Sequence, residues 1–345
     1  ILQYLGSGLG VGDVNNDGFV DVFLVREGGN KLYINNGDRT FSDKTAFYQL
    51  NDPNIKDTTQ ALFVDINNDG RLDLFMVHAY SNSQLFLQTK DGKFKNITNV
   101  SGIRTLYGAQ TAVFFDMDND GLLDLFVGHF GPSEHGNYRV NHIKKFLGED
   151  GLDDSSVERF LKTQTLNNNK DIFHDINNFF IALDGKNGQK SQLYKNLGGG
   201  RFENVTAKSQ LLSTSFTLAA AAIDYNNDGY DDIYLANDFG ADELFINQGD
   251  GTFKDMASMY QVNDRGNGMN ISFVDVNEDG FWESFVTVID MYTKNLTFRF
   301  PQSSEQYVFD DNILRSSTYL SGNKLFLNSG KFPSLAVEHD YIEPA

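Results

Sequence analysis

Five nine-residue strings in this chain place oxygen-bearing side chains at alternate positions: DVNNDGFVD from Asp13, DINNDGRLD from Asp65, DMDNDGLLD from Asp116, DYNNDGYDD from Asp224 and DVNEDGFWE from Asp275. Positions 1, 3, 5 and 9 are Asp13, Asn15, Asp17 and Asp21 in the first and Asp65, Asn67, Asp69 and Asp73 in the second. They are Asp116, Asp118, Asp120 and Asp124 in the third, Asp224, Asn226, Asp228 and Asp232 in the fourth, and Asp275, Asn277, Asp279 and Glu283 in the fifth. Such oxygens converge on one point when the backbone coils tightly, and a glycine at position 6 permits that coil. The backbone carbonyl of position 7 (Phe19, Arg71, Leu122, Tyr230, Phe281) can complete the shell. The chemistry is that of a hard cation. Calcium tolerates mixed, flexible oxygen shells better than magnesium does, so about five Ca2+ sites are expected. An EF-hand needs a bidentate Glu at position 12, where this chain has Leu24, Met76, Val127, Leu235 and Val286, so EF-hands are excluded. One such string is explicable as a turn of good turn formers, but five are not. Loop three, with four Asp ligands, is expected to bind most tightly.

Each acidic string is followed by a second motif, KLYINNGDRTF, QLFLQTKDGKF, QLYKNLGGGRF, ELFINQGDGTF or KLFLNSGKF. From each of the first four motif leucines (Leu32, Leu85, Leu193, Leu244) the next acidic string begins 31 to 33 residues on. The other interval varies, which marks insertions over residues 128–191 and 290–322. Without them the repeat is about 51 residues and reads as four short strands, for instance 61–65, 73–78, 84–88 and 93–97 in the second unit. The strand after each acidic string carries an aromatic at one fixed place (Phe23, Phe75, Phe126, Tyr234, Phe285) and is apolar on both faces. A sheet apolar on both faces is stable only when stacked between others. The expected fold is therefore all-β: a β-propeller of four-stranded blades, five of them recognisable, with 1–345 forming a single propeller domain or a segment of one. Connections alternate between the two ends of an up-and-down blade, so both insertions are expected on the face opposite the acidic loops.

The chain has 345 residues, 47 acidic and 28 basic, a formal net charge of −19 and no cysteine. That excludes a phosphate-tracking nucleic-acid binder, a disulfide framework and thiolate chemistry. Five divalent ions would bring −19 to −9, and without them the clustered carboxylates repel. No apolar run has the roughly 20 residues of a membrane span. The first residue is Ile1, so the chain is expected to be processed or part of something longer. Metal loops that stabilise only where calcium is abundant point to an extracellular, cell-surface or periplasmic setting. His129, His135, His142 and His174 fall in the first insertion without tight ligand spacing and read as solvated loop residues, and five N-x-S/T sequons begin at Asn96, Asn99, Asn204, Asn270 and Asn295.

The acidic strings with their downstream LFxNxGDGTF-like motifs resemble the FG-GAP or VCBS repeats of integrin α-subunit propellers. The run YNNDGYDDIYLANDFGADELFINQGDGTFKDM, 225–256, is similar to the cartilage acidic protein family, whose bacterial members often carry an ASPIC/UnbV module. No literal FGGAP string and no such module occurs here, and five repeats stand where an intact family member usually closes with seven. The resemblance implies an extracellular adhesion, scaffold or assembly module for protein or glycan partners, with nothing catalytic. The rival expectation is a carbohydrate-active enzyme, a polysaccharide lyase or hydrolase on a calcium-stabilised propeller. That enzyme would need acids and aromatics converging on one face, whereas the clustered carboxylates here belong to the loops.

Overall fold

Apolar residues flanking each acidic string, and glycine turns between the later strands, divide the chain into repeated antiparallel meanders. The computed structural model describes residues 8–26, 29–51, 57–130, 188–238, 240–264, 268–288, 297–298, 307–308 and 324–328. Blade one is β1 (Leu9–Gly12), β2 (Asp21–Leu24), β3 (Lys31–Asn35) and β4 (Phe41–Asp43). Blade two is β5 (Thr58–Val64), β6 (Asp73–His78), β7 (Gln84–Gln88) and β8 (Phe94–Asn96). Blade three is β9 (Ala109–Phe115), β10 (Asp124–His129), β11 (Gln192–Asn196) and β12 (Phe202–Asn204). Blade four is β13 (Thr217–Ile223), β14 (Asp232–Asn237), β15 (Glu243–Asn247) and β16 (Phe253–Asp255). Blade five shows β17 (Gly268–Val274), β18 (Glu283–Val288) and β21 (Lys324–Phe326), with a separate ribbon of β19 (Thr297–Phe298) and β20 (Tyr307–Val308). Its expected fourth strand, at Phe332, lies outside the described residues.

The register is the same in every blade. The fixed aromatic of the second strand stands opposite the motif leucine of the third: Phe23 with Leu32, Phe75 with Leu85, Phe126 with Leu193, Tyr234 with Leu244 and Phe285 with Leu325. Because side chains alternate across a strand, each second strand sends one set of residues toward the preceding blade and the other toward the next. Phe75, Val77 and Leu85 of blade two thus meet Leu125, Val127 and Tyr194 of blade three, while Phe126 and Leu193 of blade three meet Ile233, Leu235 and Phe245 of blade four. The same pairing joins blades one and two and blades four and five. First strands lie beside first strands, β1 with β5, β5 with β9, β9 with β13 and β13 with β17. All six residues of β6, β10 and β14 are buried, which is what a doubly apolar strand requires. A fully buried Leu or Phe contributes about 1.5–3 kcal/mol, so the seams between blades are the core.

Between blades the chain makes one helical turn, α1 (Thr98–Ser101), α2 (Thr206–Ser209) or α3 (Ala257–Tyr260). An N-x-T sequence at the end of the fourth strand builds α1 and α2, while at α3 Asp255 accepts the Ala257 N–H with no threonine to follow. Asn96 Oδ1 accepts the Thr98 N–H at 3.0 Å, and Thr98 Oγ1 accepts the Leu85 N–H at 2.9 Å. Asn204 and Thr206 do the same, the latter with Leu193. The sequon asparagines Asn96 and Asn204 are therefore also turn caps, and Asn295 lies outside the described residues.

The sequence-predicted insertions fall largely outside the described residues. Gly128 and His129, the first two residues assigned to the 128–191 insertion, instead complete β10. His129 is fully buried, not solvated, and burial pushes its ring down to about 4. The pattern misleads there because the insertion begins after a strand whose last side chains are polar but enclosed. Of the 290–322 insertion, only the β19–β20 backbone is described.

Candidate metal loops

Each acidic string connects the first and second strands of its blade, at the same end of every sheet. Position 4 has a positive φ in all five loops, 56° at Asn16, 56° at Asn68, 57° at Asn119, 58° at Asn227 and 59° at Glu278. Asn enters that left-handed region easily, which accounts for four of the five residues. The position-6 glycine has φ between +79° and +91°, and a Cβ there would meet nothing within 4 Å. Gly is used at position 6 for its backbone freedom, not for space.

The carboxylates organise their own loop. In loop one, Asp13 accepts the Asp17 N–H at 3.0 Å and the Gly18 N–H at 2.7 Å, and Asp17 accepts the Phe19 N–H at 2.9 Å. Asp65, Asp116, Asp224 and Asp275 hold the same pair of donors, and Asp69, Asp120, Asp228 and Asp279 hold the position-7 N–H. The position-3 Asn donates to the position-5 Asp, Asn15 to Asp17 at 2.8 Å, Asn67 to Asp69 at 3.1 Å, Asn226 to Asp228 at 2.8 Å and Asn277 to Asp279 at 3.0 Å. The structure thus brings positions 1, 3 and 5 together in each loop. Three position-7 side chains turn away, Phe19, Leu122 and Tyr230 lying over the glycine turns at Gly37, Gly198 and Gly249, while Arg71 donates from Nε to the Gln88 carbonyl and pairs with Asp69 through its guanidinium.

Position 9 is fully buried in all five loops. One oxygen accepts the position-2 N–H: Asp21 from Val14, Asp73 from Ile66, Asp124 from Met117, Asp232 from Tyr225 and Glu283 from Val276. The other oxygen of the four aspartates accepts an N–H at the end of the third strand, from Asn35, Gln88, Asn196 or Asn247. Burial pushes these carboxyls up against those hydrogen bonds, to about 7 at Asp73 and Asp232 and about 6 at Asp124, and Asp21 is raised in the same direction. The longer Glu283 keeps Oε1 buried with no hydrogen-bond partner. A carboxylate that has been desolvated, or left with an orphan oxygen, is stabilised by a nearby cation.

Neighbouring loops are tied by two repeated hydrogen bonds absent from the sequence reading. Asn16 Nδ2 donates to the Gly70 carbonyl at 3.2 Å, Asn68 to Gly121 at 2.7 Å, Asn119 to Gly229 at 2.8 Å and Asn227 to Gly280 at 2.9 Å. In the opposite direction, the amide at the end of a third strand reaches the position-2 carbonyl of the preceding loop. Gln88 bonds Val14, Asn196 bonds Ile66, Asn247 bonds Met117 and Asn328 bonds Tyr225. Asn16 and Asn68 look like free surface positions in the sequence, but they hold one loop to the next.

An all-oxygen donor set, three carboxylates of loop three within 4.8 Å of one another and the orphan oxygen of Glu283 fit a hard divalent cation. The holders would be positions 1, 3, 5 and 9 with the position-7 carbonyl. The ion would supply charge neutralisation where carboxylates converge.

Four four-stranded meanders and a fifth with three described strands, each with an acidic loop at one end, define a repeat protein with propeller-like blades. The profile of the FG-GAP-like repeat matches residues 13–76, 65–127, 176–235 and 224–286, and the chain belongs to that family. Cartilage acidic protein 1 of Xenopus tropicalis is 32% identical over 166 residues, 44% of this chain and 25% of that protein. The Homo sapiens protein of the same name is 33% identical over 133 residues, 36% of this chain and 19% of its own length. The chain therefore matches about a quarter or less of these relatives. A structure described as specific recognition of non-reducing terminal N-acetylglucosamine by an Agrocybe aegerita lectin superposes with a TM-score of 0.42 at 15% identity, over 82% of this chain and 60% of that one. That superposition is too loose to assign fold or function.

Proposed function

We propose that the chain is the propeller of an extracellular or cell-surface module, stabilised by calcium in its acidic loops, that serves adhesion, scaffolding or assembly with protein or glycan partners. The observation that carries this reading is the array itself. Loops with one donor pattern stand at one end of successive blades and are fastened to one another by the Asn-to-Gly bonds. A ring closed either by these blades or by further ones would put all the loops on one rim. A loop with a dissociation constant of ~0.1 mM gains about 1.4 kcal/mol at ~1 mM calcium, so several loops together approach the net stability of a domain. At submicromolar calcium that gain vanishes, which favours an extracellular setting. No helix among the described residues is long and apolar enough to cross a membrane.

Partner binding belongs, on this reading, to the end of the blades opposite the loops. The chain leaves β10 and re-enters at β11 at that end, and there the repeats differ in length. Outside the loops, Asp242 and Glu243 are only 2% and 3% exposed. Tyr234 and Asn237 hold Asp242, and Ser213 donates to Glu243, so these acids serve packing better than attack on a polymer. Thermal melts in millimolar calcium, in millimolar magnesium and in excess chelator test the reading. Calcium should raise the midpoint by many degrees and magnesium by much less; coincident calcium and chelator curves would sink it.

A further inference from the structure

Loop three departs from its four counterparts at two places. Position 3 is Asp118 where the others have Asn15, Asn67, Asn226 and Asn277. Two residues after the motif leucine stands Lys195, where the other repeats have Ile34, Leu87, Ile246 and Leu327. The two departures meet in space: Lys195 Nζ pairs with Asp118 Oδ2 and, at 3.0 Å, with Asp120 Oδ2. In the other loops the position-3 amide ties position 3 to position 5 by donating to Asp17, Asp69, Asp228 or Asp279. Asp118 has no N–H to give, and the lysine ammonium makes that tie in its place. Lys195 also restores the charge. Four carboxylates and one ammonium leave loop three at −3 over its ligand positions and lysine, the value that three carboxylates give each of the other four.

We propose that Lys195 is a built-in cation that keeps loop three assembled and keeps a divalent ion out of it at calcium concentrations that fill the other loops. The inference rests on the calcium reading above and reverses the sequence expectation that loop three binds most tightly. An ammonium between two of the converging carboxylates occupies the charge-rich point that an ion would take, and admitting the ion requires the lysine to swing out. Arg71 in loop two is a different arrangement. Of the loop carboxylates its guanidinium pairs with Asp69 alone, and Asn67 still makes the tie between positions 3 and 5. Asp118 Oδ1 keeps no hydrogen-bond partner, so with the ammonium gone the loop has a free oxygen ready for a divalent ion.

The test counts calcium ions by native mass spectrometry of the whole chain, titrated with calcium chloride, in the wild type, K195L, the double variant D118N/K195L and K195R. K195L exposes four carboxylates to the ion, and the double variant gives loop three the pattern of its counterparts. Each should bind one calcium ion more than the wild type, whereas K195R should keep the wild-type count. In chelator, K195L should melt below the wild type, and calcium should raise its midpoint further than it raises that of the wild type. A wild type that binds calcium with the same count as K195L and the double variant overturns the inference and leaves the calcium reading standing. No calcium bound by any of the four proteins overturns both.

Discussion

Blades two to four and blades one and five are built on one sequence pattern and end in different environments. The central aromatics Phe75, Phe126 and Tyr234 are completely enclosed, and so is every residue of β6, β10 and β14. In blade one, Phe23 and Leu32 are buried against blade two, but the opposite face leaves Leu9, Val11 and Phe41 57%, 54% and 48% exposed. Blade five mirrors this, with Val286 buried against blade four and Val274 44% exposed on the far side. The hydrophobic pattern of the repeat therefore specifies two seams, not a self-contained core, and each blade acquires its burial from its neighbours.

The comparison is open to attack first through protonation. Asp73, Asp124 and Asp232, the carboxyls held at about 7, 6 and 7, all belong to the middle blades. Their folded forms keep a proton that the unfolded chain releases near pH 4. Metal-free protein should therefore lose stability as pH rises from about 4 to about 7. A tenfold change in proton affinity is worth about 1.4 kcal/mol, so the three together should move stability by on the order of 10 kcal/mol. Urea melts across that range in chelator measure it, and Asp73→Asn should flatten the curve more than Asp21→Asn; a flat wild-type curve breaks the distinction. Next in size, Phe126→Ala should cost about 3–5 kcal/mol in the same melts, while Phe41→Ala on the open face should cost less than about 1 kcal/mol. Equal losses would mean that blade one is sealed in solution. The smallest effect lies in the ties between loops. Asn68→Gly keeps the positive φ and deletes the bond to Gly121, for an expected loss of about 1 kcal/mol. Glu278→Gly removes a strained side chain that makes no such bond among the described residues, and should be neutral or slightly stabilising. If the two variants behave alike, the ties carry no stability.

The strands and loops were legible because they repeat. The expected second and third strands of blade two, 73–78 and 84–88, coincide with β6 and β7. Positions 1, 3 and 5 meet through hydrogen bonds within each loop, at the alternate spacing on which their oxygens stand. What escaped lies where a residue acts on a distant part of the chain. Lys195 sits at a position that is apolar in the other repeats, and its partner Asp118 is 77 residues away, so counting aspartates in loop three missed the cation that pairs with two of them. Asn16 and Asn68 escaped likewise, since a turn-forming Asn looks the same whether or not it reaches a neighbour. The turns α1, α2 and α3 are too short for any helical periodicity. The polar end of β10 hid His129 because enclosure there is supplied by neighbouring elements, not by its own sequence.

The Asn-to-Gly bonds all run in one direction, from each loop to the one that follows it in the chain. Each of the first four repeats carries its own plug, the position-4 Asn, within a few residues of the position-6 carbonyl that serves as the socket in repeats two to five. A gene segment copied in tandem would deliver a new repeat already equipped to join both neighbours, so the array can lengthen or shorten by whole units without redesign of the joint. Glu278 alone among the five position-4 residues has no side-chain N–H, so loop five lacks the plug that the other four carry.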